Sequence, residues 1–306
     1  MDFRHTEEQL GFAKALSELL SRADTPAVAR SWAEGDKEPG LALWNRLAEQ
    51  GVCALIVPED DGGMGASATD LIVAFEVLGN HLAVGPWIES AAFLPKALAG
   101  SDLGDLAEGA IATVAVAPVT PLALDADAAT AVYAVSGGSI IKSAAGAQHA
   151  SVDITRHLFE VAGVDQSDAF TDATNMAILA CAAELLGAGE RLLTDTVAYV
   201  SQRKQYGRII GSYQALKHQL ADVRIALDFA RPLVLGAALD AVPVSAAKVA
   251  AADAAYLASR TGLQVHGAVG YTQELDLSLW LTKVRALVTA WGTPAHHRAL
   301  LLGGLC

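Results

Sequence analysis

The sequence predicts a mainly α protein in three parts. Residues 1–108 read as an N-terminal helical domain, 109–166 as a shortened middle β domain, and 167–306 as a C-terminal helical bundle of four-helix type. Three observations carry this reading. Capped runs with apolar residues every three or four positions fill the first third. Small and β-branched residues broken by turn signals follow. Long apolar stripes then return and hold to the end.

In the first part, Thr6 and Gln9 form a capping box, with Glu7 and Glu8 at the positive end of the helix dipole. "LALWNRLAEQG" puts Leu41, Trp44, Leu47 and Ala48 on one face and stops at Gly51. "VPEDDGGMGAS" is a loop of breakers. Its "GGMG" at 62–65 lacks the Lys-Ser/Thr of a phosphate loop and reads as a connector. "TDLIVAFEVLG" places Leu71, Ala74, Phe75 and Leu78 at helical spacing and ends at Gly79. Pro86 opens a further helical run that closes near Gly100.

In the middle, "AIATVAVAPV", "ATAVYAVSGGSII" and "SVDITRHLFEV" read as a small module of about four strands. In the last part, Met176, Leu179, Ala183, Leu186, Leu193, Val197 and Val200 form one stripe. Gly187 and Gly189 lie within it, where glycine costs roughly 1 kcal/mol against alanine, so a close approach by another helix or a ligand is expected. Further helices are expected at about 212–240, 244–265, 275–290 and 293–302.

Hydrophobic residues make up 53% of the 306 and charged residues 18%, a globular composition with enough chain for a large core. A formal charge of −13 excludes the broad basic surface that nucleic acid requires. No apolar run has the length of a membrane span. "MDFRHTEEQL" has no apolar segment behind a basic region, so no secretory signal is expected. Cys53, Cys181 and Cys306 are widely spaced and odd in number, which argues against a disulfide framework or a zinc site and for a reducing cytoplasm. His218 and His266 have no metal-ligand partner at helical spacing and read as packing or hydrogen-bonding residues; His296 and His297 are adjacent and point apart on a helix.

Against this acidic background, "RKQYGRIIGSYQALKHQLADVR" (203–224) holds five of the 21 basic residues and one acid, Asp222. Such a segment faces an anion. Arg203 offers a rigid fork of donors to phosphate oxygens. Gln205 adds a neutral hydrogen bond, Tyr206 a flat aromatic face, and Gly207 a close backbone approach.

This segment, "LQVHGAVGYTQE" (263–274), "WNRLAEQGVCALIVPEDDGGMG" and the opening "MDFRHTEEQL" together resemble the acyl-CoA dehydrogenase family in order and spacing, over most of the chain. The resemblance implies FAD as cofactor, with these two C-terminal segments holding its adenosine–pyrophosphate end while the flavin ring lies in the neighbouring subunit. By the same carry-over, Tyr213, Leu216, Gln264 and Gly267 join Arg203, Gln205, Tyr206 and Gly207 at the dinucleotide, and Glu274 is a structural acid.

Family members oxidise the Cα–Cβ bond of an acyl-CoA, and a carboxylate removes the α-proton. Where many members carry that Glu, "TAWGTP" has Trp291; where others carry it, this chain has Ala177. Glu190, on the apolar stripe, is a weak candidate base whose stem more simply leaves its carboxylate at the stripe's edge. The segments that hold the flavin ring and shape the acyl-CoA pocket are missing from the β domain as well. No catalytic residue is therefore assigned. The resemblance then implies the small subunit of a heteromeric, actinobacterial steroid side-chain type of acyl-CoA dehydrogenase. A larger catalytic partner would complete an α2β2 assembly acting on a steroid-type acyl-CoA, with electron-transfer flavoprotein as acceptor and the isolated chain inactive. The alternatives are a self-sufficient homo-oligomeric flavoenzyme with a non-standard base, and a flavin-free structural homologue.

Overall fold

The computed structural model describes residues 3–205 and 207–304. Helix α1 (Glu7–Ser21) starts on the expected Thr6–Gln9 capping box. The side-chain amide of Gln9 also donates to Asp70 Oδ1 at 2.9 Å and so ties this start to a later helix. Helices α2 (Thr25–Ala33) and α3 (Glu38–Glu49) follow, with Trp32, Leu43, Trp44 and Leu47 buried between them and the rest. The breaker loop is pinned by its backbone, with Met64 N–H donating to Ala54 O at 2.9 Å and Ala66 N–H to Leu55 O at 2.7 Å.

Helix α4 (Ala68–Asn80) has its own Ser67–Asp70 capping box and runs one residue past Gly79. Gly79 is not a stop signal; it is a contact. It and Gly187 face the long helix α7 (Thr171–Gln202) and α4 respectively. A Cβ on Gly79 would overlap the Glu184 carbonyl oxygen, and one on Gly187 would overlap that of Glu76. The two backbones therefore touch, which is the close approach that the glycines of the stripe imply.

The run behind Pro86 is less regular than its pattern suggests. A π-turn over Glu89–Phe93 inserts an extra residue before α5 (Leu94–Ala97), and α6 (Ser101–Ala107) closes this part.

The β module has six short strands rather than about four. β1 (Ala112–Ala115), β3 (Ala131–Ser136) and β4 (Ser139–Ser143) form one sheet in the order β1-β3-β4. β2 (Ala123–Leu124), β6 (Leu158–Val161) and β5 (Ala145–His149) form the other in the order β2-β6-β5. Only the last four residues of the 158–161 region of "SVDITRHLFEV" pair as a strand. Its front half turns because Asp153 Oδ1 accepts from the Thr155 N–H at 2.9 Å and its hydroxyl at 2.8 Å, a local bond that competes with sheet pairing.

Helix α7 is the central beam. Every residue from 177 to 189 is buried, because α4, α8 (Gln214–Ala238), α9 (Val244–His266) and α10 (Leu277–Thr289) pack around it. The one-sided stripe fails toward its end: Val197 is 43% exposed. A hairpin of β7 (Lys204–Gln205) and β8 (Arg208–Ile209) joins α7 to α8, and α11 (Pro294–Gly303) ends the bundle. Among the described residues no helix is long and apolar enough to cross a membrane.

Candidate functional site

The basic segment forms the turn between α7 and α8. Arg203 caps α7, and its carbonyl accepts from Ile210 N–H at 2.8 Å, which closes the β7–β8 hairpin. Gly207 sits in the turn at φ +78, a left-handed value, with nothing within 4 Å of the place a Cβ would take. Tyr206 lies outside the described residues. Arg208 lies 3.8 Å over the Tyr213 ring, and Tyr213 in turn starts α8, with half-buried Leu216 in its first turn. Arg203, Lys204, Arg208 and Lys217 are all exposed, and none pairs with a carboxylate among the described residues. Four uncompensated cations thus stand around one open turn.

The second segment ends α9 beside them. Gln264 is exposed on the last turn, and Gly267 caps the helix at φ +63. His266 is buried, with Nδ1 2.8 Å from Gly262 O and its ring stacked on Tyr199 of α7 at 4.1 Å. This stack fastens the α9 end to the α7 end that bears Arg203. His218 is exposed rather than packed, and Glu274 is exposed too; the acid that holds Arg30 is Asp276, at 2.7 Å.

The position expected to hold a base is closed. Trp291 is fully buried at φ +55, with its ring 5.4 Å from Phe93, which in turn meets Phe170 at 6.3 Å. Its indole N–H has no partner, while its carbonyl lies 2.9 Å from His297 Nε2. Burial pulls His297 down to about 4, so it is neutral at neutral pH. Ala177 is fully buried and carries no polar atom.

Glu190 is clamped. Arg224 holds it with two bonds of 2.7 and 2.6 Å, and Arg231 adds one of 2.9 Å. Burial alone would raise its pKa, but the two guanidiniums outweigh that and hold it below the usual value. A carboxylate so stabilised is a poor proton acceptor.

Sequence reasoning missed a set of buried ionisable groups. Glu89, in the π-turn, is fully buried with one oxygen unpartnered, and burial pushes it up to about 7 against the pull of Arg156. Lys283 lies 3.4 Å from Glu184, and Lys248 donates to Cys181 Sγ at 3.2 Å. Each reads in sequence as an ordinary polar position on a helix, so no local signal marks it. Asp125, Asp127 and His157 also converge, but the Lys37 ammonium lies among them, 2.6 Å from His157 Nδ1 and 3.2 Å from Asp127. That lysine already supplies the cation.

The order helical layer, small β module, helical bundle is that of the acyl-CoA dehydrogenase fold. The chain belongs to the acyl-CoA dehydrogenase family, whose members are oxidoreductases acting on CH–CH bonds with FAD as cofactor. Residues 6–113 match "Acyl-CoA dehydrogenase, N-terminal domain" and residues 168–305 match "Acyl-CoA dehydrogenase, C-terminal domain". It is 32% identical over 293 residues to the acyl-CoA dehydrogenase IpdE2 of Mycobacterium tuberculosis, covering 90% of this chain and 91% of that one. The fold matches a chain of the ChsE4-ChsE5 complex from M. tuberculosis at TM-score 0.83 and 21% identity, over 100% of this chain and 99% of that one. It also matches the Tcur3481-Tcur3483 steroid ACAD G363A variant at TM-score 0.82 and 18% identity, over 98% and 99%.

Proposed function

We propose that this chain is the non-catalytic-type subunit of a heteromeric acyl-CoA dehydrogenase. It binds the adenosine–pyrophosphate end of FAD through Arg203, Gln205, Tyr206, Gly207, Tyr213, Leu216, Gln264 and Gly267. The larger partner holds the flavin ring and supplies the base. Bound FAD provides the hydride acceptor for α,β-desaturation of an acyl-CoA. This chain's part is to bind and orient the cofactor's tail.

The observation that carries the reading is the contrast between the two places. The tail site is open and cationic, with no carboxylate to neutralise it among the described residues. The base position is filled by a buried Trp291, and the other candidate acid, Glu190, is locked between arginines. That lock speaks against a self-sufficient enzyme. A steroid side-chain acyl-CoA, an α2β2 assembly, electron-transfer flavoprotein as acceptor and a cytoplasmic location belong to the same proposal. The heteromeric and steroid matches support it.

Co-expression with the partner raises flavin absorbance and thermal stability together, because cofactor binding and subunit association are linked. Arg203→Ala in the complex lowers FAD retention on dilution without unfolding the subunit. Full FAD occupancy in the isolated chain, or unchanged retention in the variant, would refute the division of labour.

A further inference from the structure

A cleft of about 340 Å³ opens between the β module and the last turn of α10. Leu122 of the β1–β2 connection, Val152 of the β5–β6 connection and Ala286 of α10 give it apolar walls. Thr120, Ser151 and Thr289 add hydroxyls at its edge. It shares no residue with the cationic turn at 203–217.

Its cation is Arg156. This residue is only 8% exposed and lines the cleft. No carboxylate among the described residues lies within ion-pairing distance of its guanidinium. The acids that it feels at longer range are Glu89 and Asp125, both fully buried and neither within ion-pairing distance of it. The end of α10 offers partial negative charge, about half an elementary charge at most, which offsets the cation incompletely. A buried guanidinium without a counter-ion is unfavourable. The open cleft gives an anion from solvent access to it.

We propose that the cleft binds a short-chain carboxylate, with its head on the Arg156 fork and its apolar body against Leu122, Val152 and Ala286. The planar guanidinium matches a carboxylate with two parallel bonds. A single cation balances a monoanion, whereas a phosphate dianion would retain an unmatched charge. The apolar walls disfavour a small inorganic anion, which would leave them without contact.

The test uses the full chain with sodium hexanoate, followed by thermal shift and calorimetry, against hexanol and against sodium chloride at matched ionic strength. Hexanoate raises Tm saturably; hexanol and chloride do not. Arg156→Gln and Val152→Trp each weaken hexanoate by about tenfold or more. Val152 is 56% exposed, so its replacement blocks the cleft without entering the core and decides the matter should Arg156→Gln not fold. The proposal is overturned by no saturable shift up to about 50 mM hexanoate. An equal response to hexanol, unchanged affinity in Val152→Trp, or saturable binding of riboflavin in place of hexanoate would overturn it too.

Discussion

Glu89→Gln removes one ionisation from the middle of the fold and keeps the side chain's shape. Burial raises this carboxyl from 4.5 to about 7, with Arg156 opposing. Because the folded value is the higher one, the folded chain keeps a proton that the unfolded chain releases between the two. The associated stability is fully present below pH 4.5 and is lost as pH rises through about 7. At about 1.4 kcal/mol per pH unit, the interval amounts to about 3 kcal/mol once the group is ionised. The assay is urea unfolding of both proteins, followed by tryptophan fluorescence at about pH 5 and about pH 8. The variant gains on the parent by about 2 to 3 kcal/mol between those two conditions. Comparing the two proteins cancels every other titrating group that the substitution does not touch. Two pH profiles that run parallel, separated by a constant offset, would refute the reasoning.

His297 is pulled from 6.5 down to about 4 by burial, so its ring resonances stay fixed in an NMR titration until the solution is well below the ordinary histidine range. Its stabilising effect, present above 6.5 and lost as pH falls toward about 4, opposes that of Glu89; a midpoint near 6.5 would show the ring open to water. Gly187→Ala drives a methyl group into the Glu76 carbonyl oxygen and costs about 3 kcal/mol or more in chemical denaturation; a change below about 0.5 kcal/mol would mean that α4 and α7 can separate there.

The helices were largely legible because their signals are local. Thr6 with Gln9 marks a start, and Trp44 and Leu47 mark an inward face, whereas Leu41 and Ala48 of the same expected stripe are only half-buried and Leu43, off it, is buried. The glycines at 187 and 189 announced a close neighbour but not which one. The β module was harder. Strands as short as Ala123–Leu124 are too brief to show alternation, and the Asp153 turn interrupts what looks like a strand. The π-turn at Glu89 depends on tertiary packing and leaves no periodic trace. At the cationic turn, Arg203 and Gly207 could be read from the motif. The Arg208–Tyr213 and Tyr199–His266 pairs could not, because each needs two elements brought together.

At Gly79 and Gly187, α4 and α7 meet main chain to main chain with no side chain between them. Sliding of one against the other would need both ridges to climb over carbonyl oxygens. At this seam α4 and α7 are therefore expected to move together, so a hinge inside the chain would have to lie elsewhere than between these two helices.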